Sequence, residues 1–251
     1  MDRPIWEGIY DSFDSVPKIG NGFDGDVWIE RNIVKLKNLI QSLESHSEFT
    51  TINFSNASPL LLLLALNYAG KPAEILDVGG GFGDMYIKIL NSSQFLNDLN
   101  YTVLEKKPVC LSAKAILKHY EKIFFIDALP ESAKFDVVHI GSSLQYVDDW
   151  VSLMNKMFSF DVDYFVFTDF PAGSNMEFIT GQNYYDSILP FRFFRLDSFL
   201  KFMDERGYAL IHSTAYLANI LGSHTSYQME NFEPELRLNY SKNLVFKKAL
   251  Y

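Results

Sequence analysis

Hydrophobic positions change their spacing along the chain, and the changes mark out its parts. Within 27–43 the apolar residues Ile29, Ile33, Leu36, Leu39 and Ile40 recur at intervals of three and four, which predicts an amphipathic helix. Ser58 followed by Pro59 opens a second, largely apolar helix over 59–68, which Gly70 and Pro72 end. From residue 73 short apolar runs take over, predicting strands at 73–78, 101–104, 123–126, 137–140 and 164–167. Helical patterns at 85–90, 109–119 and 144–158 lie between them. Strands alternating with helices predict a parallel sheet covered on both faces. Two last strands, at 209–214 and 244–248, flank a long polar stretch without helical periodicity and read as a closing antiparallel pair. The pattern as a whole predicts an α/β, three-layer sandwich around a mostly parallel seven-stranded sheet.

Residues 1–26 fit no such pattern. Trp6, Tyr10, Phe13 and Phe23 alternate there with Gly8, Pro17, Gly20, Gly22 and Gly25, so the segment reads as irregular chain laid over the body of the protein. This divides the chain into an N-terminal cap over 1–50, helical and irregular, and a core over 51–251. A formal charge of −9 has the wrong sign for a protein that binds by neutralising phosphates, so nucleic acid is not an expected partner. The single cysteine, Cys110, excludes an internal disulfide and a cysteine-rich metal site, which suits a reducing compartment. The longest apolar run, 60–66, is far short of the roughly 20 residues of a membrane span. The acidic N-terminus does not resemble a secretory signal, so a cytoplasmic location is expected. Aromatic residues make up 16% of the chain and cluster after Phe158, as the walls of a pocket or as ordinary core and lid packing.

The candidate chemistry begins at Ile75-Leu76-Asp77-Val78-Gly79-Gly80-Gly81-Phe82-Gly83, an apolar strand that runs into four glycines and then a helix. Such a turn lets backbone approach a ligand and leaves helix N–H groups free for an anionic group. The dinucleotide fingerprint would need a third glycine at position 84, where this chain has Asp84. A nicotinamide oxidoreductase is therefore disfavoured. The run resembles motif I of the class I S-adenosylmethionine-dependent methyltransferases, and further likeness follows in order. Glu105 ends the second strand, where that family places the acid for the ribose hydroxyls. Asp127-Ala128 stands at the adenine position, and 135–146 resembles the fourth-strand motif that faces the reacting methyl group. The resemblance implies a Rossmann-like fold and S-adenosyl-L-methionine as cofactor, with S-adenosyl-L-homocysteine as product. It also implies Asp77, Gly79, Gly80, Gly81, Gly83, Glu105, Asp127, Ala128 and Ser142 as cofactor-binding residues.

The chain also resembles methyltransferases encoded among bacterial surface-polysaccharide genes, through Trp6-Glu7-Gly8-Ile9-Tyr10 with Ser12-Phe13, and through Thr180-Gly181-Gln182-Asn183 with Pro190, Phe191 and Phe194. That likeness implies a sugar or a related small metabolite as acceptor. Methylation of a hydroxyl requires a base, whereas a neutral amine or a phenolate needs much less help. Asp169, at the exit of the fifth strand, is the first candidate for base or substrate contact, with capping of the next turn as its plain alternative. His224 and Tyr146 are further candidates. His139, inside the fourth strand, reads as a packed core histidine. A lid over about 171–200 would offer Gln182, Asn183 and Tyr184 to the acceptor, with Phe191, Phe193 and Phe194 as walls. Arg192 and Arg195 would grip an anionic acceptor or pair with surface acids. No histidine spacing suits a metal, so none is expected. The partners expected are a small-molecule substrate and, through the N-terminal segment, a second copy in a homodimer. Methylation of a nitrogen or of an aromatic molecule, and a cofactor-binding scaffold without catalysis, are the alternative functions.

Overall fold

The computed structural model describes residues 4–45, 58–92, 96, 98–174, 177–216, 218–220, 223–225 and 227–249. Strand β1 (Trp6–Tyr10) is followed by two short 3-10 turns and then by helix α1 (Asp26–Ser45). Helix α2 (Pro59–Asn67) begins at Ser58, whose side chain accepts the Leu60 N–H, with proline in the first turn where no N–H is needed. Then come β2 (Ala73–Val78), α3 (Asp84–Ser92), β3 (Leu99–Leu104), α4 (Lys107–Ile116), β4 (Ile123–Ile126) and β5 (Val137–Gly141). The predicted 144–158 helix is broken in two. A 3-10 turn spans Leu144–Tyr146, and α5 (Trp150–Phe158) starts afresh where Asp149 accepts the Ser152 N–H. The interruption places Asp149 as a helix cap and turns Gln145 and Tyr146 inward, both buried.

The chain continues through β6 (Tyr164–Phe170), β7 (Ala172–Gly173), β8 (Phe178–Tyr184), β9 (Ser187–Arg195), α6 (Leu196–Asp204), β10 (Tyr208–Ala215), β11 (Ala218–Ile220), β12 (Ser223–Thr225) and β13 (Lys242–Lys248). The main sheet has the order β10-β13-β6-β5-β2-β3-β4. Its pairs from β6 to β4 are parallel, and β13 runs antiparallel between β10 and β6. All seven strands of this sheet are those the hydrophobic pattern marks. One face packs Ile75, Tyr101, Val103, Val137 and Val166 under α1 to α4; the other packs Leu76, Val138, Phe165, Phe167 and Phe246 under α5 and α6. The three-layer expectation holds.

The expectation of an irregular N-terminal segment is corrected by β1. It pairs antiparallel with β8, which forms a hairpin with β9, and β7 lies parallel on the far side of β9. This four-stranded auxiliary sheet occupies the region read from sequence as a lid. Its own small core holds Trp6, Phe178, Phe191, Phe193, Met229 and Phe232. Alternation in β8 and β9 is masked by glycine and proline at Gly181 and Pro190, which face each other in the ladder. No helix among the described residues is long and apolar enough to cross a membrane.

Candidate active site

In an open parallel sheet, ligands bind beyond the carboxyl ends of the strands. Here that edge brings the glycine turn together with the ends of β5 and β6. Gly79 is left-handed at φ 66°, and its N–H donates to the Leu104 carbonyl at 2.9 Å. A Cβ on Gly79 would stand 2.4 Å from Ser143 Cβ, so the turn has room only for glycine at that place. Gly81 differs. It is also left-handed, at φ 57°, yet a Cβ there would meet nothing within 4 Å, because it faces open space.

That space is a cavity of about 310 Å³. The turn contributes Gly79, Gly80, Gly81 and Phe82 to its wall; α1 contributes Asn32 and Lys35; and α3 contributes Asp84, Met85 and Lys88. Lys35 pairs with Asp84 across 2.5 Å, and the second carboxylate oxygen of Asp84 is buried without a hydrogen-bond partner. Burial holds the Lys88 ammonium below its usual range, with Lys35 nearby adding to the effect.

The sheet forms the floor. Asp77 is almost fully buried; Tyr101 donates its hydroxyl to Oδ2 at 2.7 Å, and Oδ1 lies 2.7 Å from His139 Nδ1. His139 Nε2 lies 3.1 Å from the Thr168 hydroxyl. Register explains the chain of contacts, since Asp77 stands opposite His139 in the ladder and Thr168 opposite Gly141. His139 is thus buried, as its place in the strand implies, but it bridges two polar groups and lines the cavity.

Asp169 closes the other end. It is left-handed at φ 54° and faces Ser142, left-handed at φ 51°. The Ser142 N–H donates to the Thr168 carbonyl at 2.8 Å. Two strained non-glycine residues side by side in a cavity wall are a feature of functional sites. Asp169 Oδ1 accepts from Ser241 at 2.5 Å and from Tyr227 at 3.3 Å, and its N–H donates to Asn243 at 3.3 Å. Burial raises its carboxyl above the usual range, against the hydroxyls of Ser241, Ser142 and Tyr227, which pull it down. Tyr216 completes the wall.

Of the residues expected to bind cofactor, Asp77, Gly79, Gly80, Gly81 and Ser142 line the cavity. Glu105 lies behind the turn: Oε2 accepts the Gly81 N–H at 3.3 Å and Oε1 the Lys106 N–H at 2.8 Å, while burial raises its carboxyl. The Glu105 N–H donates to the Ile126 carbonyl, which sets Glu105 beside the exposed Asp127 and Ala128. Gly83, at φ 80°, faces Ile123, where a Cβ would stand 2.6 Å from Cδ1. It serves packing between turn and sheet.

The expected acceptor contacts lie elsewhere. Tyr146 donates its hydroxyl to Gln182 Oε1 at 2.7 Å, and burial drives the phenol upward, so it stays protonated. Asn183 donates to the Pro4 carbonyl and to Glu7, and Tyr184 packs on Phe23 and Tyr185. None of these four lines the cavity. Arg192 pairs with Glu177 at 2.8 Å, as the surface-acid alternative expected, and Arg195 is exposed. His224 falls in β12, and its side chain lies outside the described residues. No group of metal-binding side chains occurs among the described residues. Sequence reading missed Asn32, Lys35, Lys88, Thr168, Tyr216, Tyr227 and Ser241. Asn32 and Lys35 carry a signal, polar residues three apart on one helix face; Tyr227 and Ser241 carry none.

Comparison with known proteins bears on the fold and the family. A search of curated proteins finds no match. Among solved structures, the 1,6-didemethyltoxoflavin N1-methyltransferase of Burkholderia thailandensis, bound to that compound and S-adenosylhomocysteine, superposes with a TM-score of 0.53 at 14% identity, over 88% of this chain and 90% of the other. The magnesium protoporphyrin IX methyltransferase of Synechocystis gives 0.51 at 11% identity, over 92% and 87%. A Haloferax volcanii methyltransferase in complex with the Trm112 activator gives 0.55 at 12% identity, over 93% and 100%. At these identities the likeness establishes the fold. The family comes from the sequence profile of the methyltransferase domain, which matches residues 51–213, and the chain belongs to that family.

Proposed function

We propose that this methyltransferase moves the methyl group of S-adenosylmethionine to a small acceptor, a hydroxyl of a sugar or of another polysaccharide precursor, whose proton passes to Asp169. The reading rests on one observation: the glycine turn and the half-buried Asp169 carboxylate face the same cavity. The residues present fit the donor. Gly81 leaves open space, Lys35, Lys88 and Asn32 offer donors for a carboxylate, and the second oxygen of Asp84 is without a partner. Asp77 and Asp84 bring negative charge for an ammonium. In this reading Glu105, which also accepts the Gly81 N–H, serves the ribose hydroxyls, and Asp127 and Ala128 beside it serve the adenine.

Bound there, S-adenosylmethionine supplies an electrophilic methyl group on a sulfonium, so alignment, exclusion of water and removal of one proton fall to the protein. Gly79 and Gly81 set the backbone of the turn, and the Asp77–His139–Thr168 chain ties the floor beneath it to the strand that carries Asp169. A carboxyl raised by burial holds a proton better than an exposed one, which is what a base for an alcohol requires. The auxiliary sheet, with Trp6, Phe191 and Tyr146 packed together, backs this side of the molecule.

Calorimetry with S-adenosylmethionine and S-adenosylhomocysteine, with NAD as control, tests the donor. Binding at micromolar affinity, worth about −8 kcal/mol, is expected and is weakened in Glu105→Ala. Absence of binding to wild type would overturn the reading. An acceptor panel analysed by mass fragmentation then decides the atom. A product methylated on nitrogen or on an aromatic ring would replace the hydroxyl reading, and the ring-nitrogen acceptor named for the Burkholderia structure gives that second reading its support. Binding without turnover over the whole panel would favour a scaffold.

A further inference from the structure

Buried carboxylates are ordinarily paired with a cation or kept neutral, because an isolated charge in a low-dielectric site is costly. Asp77 has its bridge to His139, and Asp84 has Lys35. Asp169 is different. Its partners are neutral hydroxyls, those of Ser241, Tyr227 and Ser142, and among the described residues no ion pair with lysine, arginine or histidine reaches it. The groups facing it from neighbouring elements are Tyr146, Tyr216 and Tyr227, all acids when they ionise. Lys35 and Lys88 belong to the wall built by α1 and α3, and Asp77 and His139 to the floor. Backbone strain at φ 54° and three hydrogen bonds hold this unpaired carboxylate in the cavity wall.

We propose that Asp169 is the counter-charge by which the cavity selects a cationic ligand over its neutral counterpart, and hence S-adenosylmethionine over S-adenosylhomocysteine. This rests on the proposed reading that the cavity holds the methyl donor. The same carboxylate keeps the cavity neutral through the reaction. Before transfer, a sulfonium faces a carboxylate. As the acceptor oxygen forms its bond to the methyl carbon, the carbon–sulfur bond breaks and its electron pair stays on sulfur. The acceptor's proton passes to Asp169, so a neutral sulfur then faces a neutral carboxyl group. No net charge is left in the site at either end.

The test needs no acceptor. Calorimetry compares S-adenosylmethionine, S-adenosylhomocysteine and sinefungin, which carries an amino group in place of the methylated sulfur, on wild type, Asp169→Asn and Ser241→Ala. In Asp169→Asn the affinity for S-adenosylmethionine relative to S-adenosylhomocysteine falls by about tenfold or more, as expected for loss of a nearby unit charge, and sinefungin follows the sulfonium. Ser241→Ala removes a hydrogen bond but keeps the charge, so its ratio stays within about threefold of wild type. In the unaltered protein the ratio falls as pH is lowered through the raised range of Asp169, because the carboxylate takes up a proton. Equal weakening of all three ligands by Asp169→Asn, or an unchanged ratio, would overturn the proposal and leave Asp169 a shaping residue. Should Asp169→Asn fail to fold, a pH-independent ratio in wild type overturns it alone. Wild type that binds none of the three marks failure of the underlying reading instead.

Discussion

The glycine turn and the Asp169 corner face each other across one cavity, yet they are built in opposite ways. The turn is local: five consecutive residues, Gly79 to Gly83, set its path, and glycine is required at Gly79 because Ser143 fills the space a side chain would use. The Asp169 corner is collected from afar. Ser142, Tyr227 and Ser241 come from separate parts of the chain, and only folding puts their hydroxyls around one carboxylate, with Asn243 accepting its backbone N–H. The glycine side of the cavity is therefore written as a motif, while the Asp169 side is written as a tertiary arrangement with no fixed spacing.

His139 joins the two sides, and removing it should have the largest effect. His139→Leu leaves the Asp77 carboxylate buried with Tyr101 as its remaining partner, and a loss of about 4 kcal/mol is expected in denaturant unfolding. A loss below about 1 kcal/mol would mean that the two sides are independent. Gly79→Ala comes next, at about 3 kcal/mol, from overlap with Ser143 and a left-handed backbone. Gly81→Ala sharpens the contrast, because its Cβ meets open space: its stability cost is limited to about 1 kcal/mol of backbone strain, and its effect shows chiefly as weakened S-adenosylmethionine binding in calorimetry.

At the Asp169 corner the sign reverses. The folded protein binds the Asp169 proton more tightly than the unfolded chain, so stability falls as pH rises from the ordinary carboxylate range through the raised value. The deficit is fully present only above that raised value. Asp169→Asn removes it, and the variant should be more stable by about 1 kcal/mol there, a gain that disappears in acid, as thermal melts across pH would show. The smallest effect is expected in the auxiliary sheet. Asn183→Ala loses hydrogen bonds to Pro4 and Glu7, costs about 0.5 kcal/mol, and leaves S-adenosylmethionine affinity unchanged.

The same contrast governs what could be read before folding. Strands buried on both faces, such as 73–78 and 137–140, announce themselves by continuous apolar runs, and so the seven-stranded sheet was legible throughout. Glu105, Asp127 and the turn follow each other at family spacings. The auxiliary sheet was hidden because β1 has a single buried residue, Trp6, among more exposed ones, and its partner β8 lies far along the chain. Gln182 was legible as a polar residue of a lid, but its engagement with Tyr146 depends on a 3-10 turn that no periodicity signals.

The pairing of Trp6 with Gln182 also has a consequence for how the protein is made. On the ribosome β1 emerges well before β8, and it has no partner until β8 has been synthesised. Until then Trp6 is left without the aromatic neighbours, Phe191, Phe193 and Tyr227, that later enclose it. Contacts of such long sequence separation close late, after the entropy of the intervening loop has been overcome. The strand thus acts as a seal set late, engaged only when the β8–β9 hairpin is in place to receive it.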